Sequence, residues 1–545
     1  MRIRLVSLED GVISCGFRRM ASFVASLNPD TEAYWVCTSH YRNFADAILG
    51  RTGDEGWLSP ESVDEIARSL VDADLVGFSS MTGYSGLTKA IASRIRELAP
   101  GSAPFLVWGG IHPILSPEDA IQGDVDAVCI GEGEFAFQEF LAAFAEGRDF
   151  TGVRNMWFKN GETITRNGFR PLMTSDEMEA MPFPMMGDPS ERIYKRGRGF
   201  TPMATGDYLD TFGLSYETVW SIGCPFHCSF CGNTKFIAND KAYTKIRHTS
   251  ARYLVEHVQQ VRERLPHVSS VTFDDDSFMA IPLRELQVFA EEWREKVGIP
   301  FCVTGVIPNY VQRDKFEVLT WAGLNRIRMG VQSGSQDILD FYKRPVPREK
   351  ILAAGEVTSS FSPRYHIPPA YDVIMDNPVE TRQDVVDTLE LFYEMSRPFT
   401  LLIYSLKIIP NTGLEKQMRE RGLDVDSISK GYFNVPPRWA NIMLYLIALW
   451  RPPRWLWERL LERVEASGTE QRSYVTLQVV MRALYLAKRG FNHVRFMDFS
   501  IIPGWTGYVL WRLGVVGLWQ RRVKPRPPRP VAAGSPAVAL ESGSD

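Results

Sequence analysis

The feature that most constrains the fold is an alternation of short apolar runs with amphipathic segments, which occurs in two regions of the chain. In residues 1–150, the apolar runs alternate with segments such as Leu87–Leu98 and Glu134–Phe144, whose apolar residues recur at helical spacing. This alternation is typical of a parallel sheet with crossover helices, a doubly wound fold. The predicted strands are Ile3–Leu8, Tyr34–Cys37, Leu75–Ser79, Phe105–Trp108 and Ala127–Ile130.

Residues 211–430 show the same alternation, with six apolar runs separated by helical stretches. Six β/α units fit a partial barrel, because a complete barrel of this kind has eight. The segment between the two regions, 151–210, is irregular and contains Met181-Pro-Phe-Pro184, so we predict a linker there. The predicted barrel strands are Tyr216–Ser221, Ser270–Phe273, Phe301–Thr304, Arg326–Gly330, Ala370–Met375 and Leu401–Leu406.

The last hundred residues have a different composition from the rest of the chain. Residues 431–530 contain sixteen Lys and Arg but five Asp and Glu, and no strand-like alternation, whereas the whole chain has a net charge of −4. We therefore predict an α/β protein with a third, helical domain over 431–520, a basic stretch from 521 and a disordered tail to 545. The near-neutral total excludes a protein whose whole surface is built to bind nucleic acid.

The strongest chemical signal is the loop Cys224-Pro-Phe-His-Cys228-Ser-Phe-Cys231, directly after the first strand of the second β/α region. A structural zinc ion requires four ligands, and the loop offers only His227 as a fourth, next to Cys228. An iron–sulfur cluster can instead be held by three thiolates, which leaves one iron open to a substrate. The remaining four of the seven cysteines lie in or beside apolar runs, although Cys15 falls on a strand-to-helix loop.

The spacing Cys224-x3-Cys228-x2-Cys231, with Phe230 before the last cysteine, resembles the signature of radical S-adenosylmethionine (SAM) enzymes. This resemblance implies a [4Fe–4S] cluster held by the three cysteines, with SAM on the fourth iron. Segments after the barrel strands, at 273–278, 330–335, 371–381 and 409–413, also resemble the family, although Asp376 and Asn377 replace glycines that usually precede Pro378. The SAM contacts implied in this way are Phe230, Asp275, Gln332, Ser333, Gly334, Asp372 and Pro410.

In the first region, the segments 76–82, 108–113 and 129–134 are similar to the cobalamin-binding domain that precedes the barrel in one subgroup of this family. The motif Asp-x-His-x-x-Gly is absent, so we expect His112 to contact a cobalamin side chain or phosphate rather than cobalt. A dinucleotide site is disfavoured, because no G-x-G-x-x-G follows the first strand. The implied cobalamin contacts are Ser79, Ser80, Thr82, Gly109, Gly110, His112, Gly131, Glu132 and Gly133.

The resemblance implies methylation of an unactivated carbon in a hydrophobic or natural-product substrate. In the family's scheme, a deoxyadenosyl radical abstracts hydrogen, and the substrate radical takes a methyl group from methylcobalamin. A second SAM then re-methylates the reduced cobalamin. An alternative is a ring-forming reaction on a lipid or tetrapyrrole without methyl transfer. A non-catalytic cobalamin sensor is an alternative of another class, and the intact cysteine triad argues against it. An electron donor such as flavodoxin or ferredoxin is the expected partner.

The start of the chain lacks the apolar core of a signal peptide, so we expect a cytoplasmic protein. Trp505, Trp511 and Trp519 precede a polybasic stretch that begins at Arg521. Aromatic residues beside basic residues are typical of an interfacial membrane anchor, so peripheral membrane contact is one hypothesis for this region. The alternative is a helical cap over the active site followed by a solvated basic tail.

Overall fold

The computed structural model describes residues 1–38, 58–361, 367–425, 435–467, 469, 472–496 and 504–522. In this part of the chain, the strands are β1 (Ile3–Asp10), β2 (Thr31–Thr38), β3 (Leu75–Ser80), β4 (Phe105–Gly109), β5 (Ala127–Cys129), β6 (Met156–Asn160), β7 (Thr163–Arg166), β8 (Glu191–Lys195), β9 (Gly199–Pro202), β10 (Ser215–Thr218), β11 (Ser221–Ile222), β12 (Arg247–His248), β13 (Ser270–Phe273), β14 (Phe301–Val306), β15 (Leu324–Gln332), β16 (Ala370–Met375) and β17 (Thr400–Ser405).

The α-helices in the same residues are α1 (Cys15–Leu27), α2 (Pro60–Arg68), α3 (Ser85–Leu98), α4 (Ile111–Leu115), α5 (Pro117–Ile121), α6 (Glu134–Ala145), α7 (Ser175–Glu179), α8 (Thr205–Phe212), α9 (Asn233–Asn239), α10 (Ala251–Arg264), α11 (Leu283–Lys296), α12 (Arg313–Ala322), α13 (Gln336–Phe341), α14 (Arg348–Ser360), α15 (Arg382–Glu394), α16 (Gly413–Glu420), α17 (Trp439–Leu449), α18 (Arg454–Leu461), α19 (Val475–Phe496), α20 (Gly504–Arg512) and α21 (Val515–Arg522).

The first sheet has the strand order β7-β6-β5-β4-β3-β1-β2-β8-β9. The strands β1 to β5 pair in parallel, which confirms the five predicted strands. One face of the sheet packs against α1 and α6 through side chains such as Phe17 and Phe140, and the other face packs against α2 and α3 through Ile66 and Ile91. Helices on both faces make this a doubly wound domain. The carboxyl ends of its parallel strands form the edge at which such folds bind ligands.

The segment 151–210 is not an irregular linker, and that prediction is wrong. Its strands β6 and β7 extend one edge of the first sheet, and β8 and β9 extend the other. The pattern was missed because β6, β7 and β9 are short strands that run antiparallel to their neighbours, and β7 and β9 are the edge strands of the sheet. The first domain therefore continues well beyond residue 150.

The second sheet has the strand order β10-β13-β14-β15-β16-β17, and every neighbouring pair is parallel. This confirms the six predicted barrel strands, except that the first of them stops at Thr218 and the chain then forms β11. The sheet is open, because β10 and β17 lie at its two ends and do not pair with each other. A cluster of buried aromatic residues fills the layer between its first strands and α11: Trp220, Phe273, Phe278, Phe289, Trp293 and Phe301.

The described part of the C-terminal region is helical, as predicted, and it packs against both free edges of the open sheet. On the β17 side, the backbone N–H of Leu401 donates to the hydroxyl of Tyr485 on α19 at 3.1 Å. On the β10 side, Leu214 and Leu209 form a buried cluster with Val516 of α21. None of the helices described here is long and apolar enough to span a bilayer. The predicted disordered tail lies outside the described residues.

A buried carboxyl group links the barrel to the C-terminal region and gives a pH-dependent prediction. Ser467 donates to Glu380 at 2.7 Å, and burial raises the pKa of Glu380 to about 8. Because the unfolded chain ionises near the ordinary value of 4.5, the contribution of Glu380 to stability is full below that pH and is lost as the pH rises toward 8. We expect the unfolding free energy of Glu380→Gln, relative to that of wild type, to rise by roughly 2–4 kcal/mol from pH 5 to pH 8.

The measurement is the unfolding free energy of wild type and variant at the two pH values. The control is Glu356→Gln, which changes an exposed glutamate on α14. Its unfolding free energy should differ from that of wild type by the same amount at both pH values. A Glu380→Gln difference that is the same at both pH values would contradict the prediction.

Candidate functional site

The cysteine loop begins where β11 ends, and its entry depends on a glycine. Gly223 has φ +118°, and a Cβ atom at this position would lie 2.5 Å from the carbonyl oxygen of Lys245. Only glycine therefore permits this approach of the two backbones. The turn is fixed by the Cys224 amide, which donates to the carbonyl of Tyr243 at 3.1 Å, and by the Cys231 amide, which donates to that of Cys228 at 3.0 Å.

The three thiols of the loop lie within electrostatic range of one another. Burial raises the pKa of Cys224 to about 11 and that of Cys231 to about 12, and in both cases the neighbouring Cys228 raises it further. Arg344 approaches from the barrel, with Nη1 3.5 Å from the sulfur of Cys228. Sulfur ligands must be deprotonated, so a positively charged metal centre is what would ionise thiols such as Cys224 and Cys231. The donor set fits the cluster, and the described residues contain no group of three or more His, Cys, Asp or Glu side chains placed to hold a single ion.

The acidic run after β13 separates two carboxylates with different surroundings. Asp275 is buried and accepts the amides of Trp220 and Ser221 at 2.9 and 2.7 Å, as well as the Ser221 hydroxyl. Asp276 accepts the hydroxyl of Tyr243 at 2.9 Å, and its charge raises the pKa of both Cys224 and Cys231. The structure therefore turns Asp275 into the protein and Asp276 toward the cysteine loop, a distinction that three consecutive aspartates do not reveal.

The segment after β15 is also divided between the site and the protein interior. The Ser333 hydroxyl lies 3.1 Å from that of Thr388 on α15, and the Gly334 amide donates to the same hydroxyl at 2.9 Å. Gln332 is half-buried, and its φ of +73° directs the chain away from the strand. Gln332 is thus the least buried member of the predicted trio, with its amide beside Gly330, while Ser333 and Gly334 hold the loop on α15.

Charged side chains line the interior of the open barrel. Arg328 donates from Nε to both oxygens of Asp372, at 2.8 and 2.9 Å, and from Nη2 to the Tyr404 hydroxyl at 2.9 Å. On the opposite strands, burial and the nearby Asp274 raise the pKa of Glu217 to about 7. The interior thus has a carboxyl pair on one wall and an Arg–Asp pair on the other. Nothing in the sequence pattern distinguished Glu217 or Arg328 from other strand residues.

The remaining predicted SAM residues lie beside the loop. The ring of Phe230 meets that of Tyr342 edge to face, with the centroids 5.1 Å apart. Pro410 precedes Asn411, which has φ +60° and directs its side chain to the first domain. Neither contact assigns a ligand, so the SAM contacts stay predictions.

The carboxyl edge of the first sheet contains the predicted cobalamin residues, and several of them, including Ser80 and His112, bind other residues of the protein. Ser80 is fully buried and accepts the Trp108 indole N–H at 3.0 Å. His112 is buried over Trp108, with Nε2 2.9 Å from Asp119 and Nδ1 3.4 Å from Thr82. Burial lowers the pKa of His112, so the ring is neutral near pH 7. Because both ring nitrogens have protein partners, this geometry agrees with a role other than binding cobalt.

The other residues of this edge are partly exposed. The glycines allow close backbone approaches: Gly110 has φ +89°, and a Cβ at Gly131 would lie 2.9 Å from Asn155. Two exposed apolar side chains that the motifs did not indicate, Met81 and Ile111, lie at the same edge. An apolar, glycine-lined edge fits the broad face of a corrin ring. The predicted residues that are half-buried at this edge are Ser79, Thr82, Gly109, Gly110, Gly131, Glu132 and Gly133.

The two edges described above lie against each other. Asn411, after β17, donates to the Leu115 carbonyl at 2.8 Å and lies 3.1 Å from the Ser116 hydroxyl. Glu132 pairs with Arg247 of β12 at 2.7 Å. Cys15 is also at this junction, where its thiol is buried near the Glu217 carbonyl at 3.7 Å, and burial raises its pKa. The two edges with the predicted cofactor residues are therefore neighbours across a domain junction.

Comparison with known proteins agrees with this arrangement. Residues 218–392 match the Radical SAM superfamily model, and residues 47–141 match the B12 binding domain model. The uncharacterized methyltransferase PH0819 of Pyrococcus horikoshii is 24% identical over 325 residues, which cover 58% of this chain and 64% of that protein. The cobalamin-dependent radical SAM methyltransferase TokK of Streptomyces tokunonensis is 23% identical, over 65% of this chain and 49% of that protein.

The matched regions thus span less than two thirds of the length of either relative. Among solved structures, the cobalamin-dependent S-adenosylmethionine radical enzyme OxsB superposes with a TM-score of 0.58 at 12% identity, covering 94% of this chain and 84% of that one. The two matched domains imply a [4Fe–4S] cluster, SAM and cobalamin as cofactors. This chain therefore joins a B12-binding domain to a radical SAM domain, as the cobalamin-dependent radical SAM enzymes do.

Proposed function

We propose that this protein is a cobalamin-dependent radical SAM methyltransferase that methylates an unactivated carbon atom. The observation that supports this most is the contact between the two cofactor edges. A Cβ atom at Gly232, next to Cys231, would lie 3.7 Å from the Leu115 side chain at the cobalamin edge. When bound, the cluster with SAM supplies a radical and cobalamin supplies a methyl group. Their sites are close enough to act on one substrate.

The residues of the chain have three tasks in this proposal. Cys224, Cys228 and Cys231 hold the cluster, and the interdomain bonds of Asn411 and Arg247 keep the two edges at a fixed separation. The charged barrel interior binds and orients the substrate. Holding reactants in one geometry is a large part of what such a site contributes to catalysis.

The barrel interior supports a substrate with a polar or charged group. The Arg328–Asp372 ion pair and the Glu217–Asp274 carboxyl pair both lie there, and these side chains offer hydrogen-bond donors and acceptors to a polar group of the substrate. The expected hydrophobic or natural-product substrate is therefore refined to an amphiphilic one, whose polar group enters the barrel.

The test of the reaction uses SAM with a deuterated methyl group and the reconstituted, anaerobic enzyme. We expect deuterium in the carbon skeleton of the product and formation of 5′-deoxyadenosine. Product that forms without label would instead support the ring-forming alternative. A protein that binds cobalamin but no iron or sulfide would support the sensor.

We propose Asp276 as the carboxylate that binds the SAM ammonium group, in place of the expected Asp275. A charged hydrogen bond of this type is worth about 1.5–3 kcal/mol, so Asp276→Asn should weaken SAM binding by roughly 10- to 100-fold. Asp275→Asn should instead lower stability by about 1–3 kcal/mol, because it disturbs buried hydrogen bonds to Trp220 and Ser221. Equilibrium SAM binding and thermal unfolding of both variants distinguish the two roles. The assignment is wrong if only Asp275→Asn weakens SAM binding.

The electron that starts the reaction must come from outside the chain, and a flavodoxin or ferredoxin is the proposed donor. Cys231 is the least buried of the three cysteines, so the cluster would be closest to solvent on that side. A cytoplasmic location follows from the need for reduced thiols and remains part of this proposal.

A further inference from the structure

The long helix α19 carries a stripe of exposed apolar side chains along one face. The opposite face is buried against the protein through Gln478, Tyr485 and His493. The exposed residues recur at helical spacing over eighteen residues, with about 26 Å between the first and the last. We name this surface the apolar stripe; its members are Leu477, Val480, Leu484, Ala487, Phe491 and Val494.

The exposed fractions in the apolar stripe are large for side chains of this kind. Phe491 is 64% exposed, Leu484 54% and Val480 49%. Single exposed apolar residues are ordinary on a protein surface, but a continuous row across several helical turns marks an interaction surface.

A second helix, α20, has an apolar face of the same type. Trp505, Val509 and Leu513 recur every four residues and are 55%, 53% and 69% exposed. The other side of α20 packs closely on the first strand of the barrel, since a Cβ at Gly507 would lie 3.1 Å from Leu214. Trp511, one of the tryptophans expected in an anchor, belongs to this inner side, because its ring lies against Tyr508 and His267.

The two helices lie at the two free edges of the open barrel. Helix α19 is held at β17 by the bond between Tyr485 and Leu401, and the segment with α20 and α21 is held near β13 by the bond from Gln520 to the Ser269 carbonyl at 3.2 Å. Both apolar faces therefore lie on the part of the protein that flanks the lateral opening of the barrel.

The charge of this region indicates what covers the apolar faces. Between residues 472 and 522 the sequence has eight Lys and Arg and a single acidic residue, Asp498. Of the basic side chains described there, Arg472, Arg495 and Arg512 are exposed, whereas Lys488 donates inward to the carbonyls of Ala448 and Leu449. A second copy of the chain would bring the same basic surface against itself, because symmetric dimers pair identical patches, and like charges would repel. A bilayer with anionic lipids complements both the apolar side chains and the surrounding positive charge.

We propose that the apolar stripe of α19 and the Trp505 face of α20 bind the surface of an anionic lipid bilayer. The side chains enter the interface between headgroups and acyl chains, and the basic residues contact lipid phosphates. This binding places the lateral opening of the barrel at the membrane, where an amphiphilic molecule can enter. The binding itself does not depend on the proposed reaction.

The experiment is sedimentation of the full-length, reconstituted protein with vesicles of phosphatidylcholine, with and without phosphatidylglycerol. We expect binding to the anionic vesicles that weakens as salt is raised. The double variant Leu484→Asp, Phe491→Asp should reduce partitioning at least about tenfold, because it removes two apolar groups that are buried on binding. The matched control is Val288→Asp, an exposed apolar residue on α11 away from both helices, which should bind like wild type.

Thermal unfolding of each variant shows whether it is folded, and Trp505→Ala provides a second test on α20 with a milder change. Wild type that fails to bind anionic vesicles would overturn the proposal. So would a dimer in sedimentation velocity that the double variant converts to monomer without any vesicle binding, since a second copy would then be the occupant. Equal loss of binding in the Val288→Asp control would overturn it as well.

Discussion

Replacing Cys228 by alanine is expected to remove the iron–sulfur cluster and to reduce 5′-deoxyadenosine formation to background, while cobalamin binding survives. Cys228 is buried at the centre of the loop, where its sulfur faces Arg344. Three thiolates are the whole protein ligand set in this interpretation, so the loss of one leaves two irons without a protein ligand. The predicted cobalamin residues lie at the carboxyl edge of the first sheet, whose strands do not include the cysteine loop.

The measurements are iron and sulfide content, 5′-deoxyadenosine yield and the absorption spectrum of bound cobalamin. Cys302→Ala is the matched control, because Cys302 is a buried cysteine of β14 in the same domain. We expect the control to keep its cluster. If Cys228→Ala retains wild-type iron and activity, the ligand assignment is wrong. If it also loses cobalamin, the two sites are more strongly coupled than the separate sheets indicate.

Replacing Glu191 by alanine is expected to destabilise the first domain by about 3–5 kcal/mol. Its carboxylate lies 3.3 Å from Nη1 of Arg18, and both side chains are fully buried. It also accepts the Trp35 indole N–H at 3.2 Å and the Tyr208 hydroxyl at 2.8 Å. Removal of the carboxylate leaves the Arg18 charge in the interior without its counter-ion, which is among the largest penalties that a single substitution causes.

Calorimetry should show the unfolding of this domain at a temperature lower by roughly 10 °C. Glu146→Ala is the comparison, because it breaks an ion pair with Arg148 in which both side chains are about 60% exposed, and such pairs contribute little. Similar unfolding temperatures for the two variants would contradict the prediction. They would also argue against the finding that β8, which begins at Glu191, is an integral strand of the first sheet.

The strands and the cluster loop were predictable because their signals are local. A parallel strand that is buried on both faces has a short apolar run as its sequence. For this reason the predicted bounds of β13 and β16 are the observed ones. A loop with three cysteines in eight residues keeps their backbones close together, whatever the rest of the chain does. The short edge strands β7 and β9 gave no such signal, because what stabilises them is pairing with a sheet that forms elsewhere in the sequence.

The sequence by itself therefore determined the two β/α domains, the helical C-terminal region and the cysteine loop. Only the tertiary structure decided which residues at the strand ends face a ligand. Ser333 and Gly334 are held by Thr388, more than fifty residues later, and Asp275 is held by Trp220 and Ser221. The tertiary structure also placed α19 and α20 at the open edges of the barrel with their apolar faces uncovered. The physical reason is that spacing fixes the residue at a turn, whereas the direction of its side chain depends on partners that folding brings from distant parts of the chain.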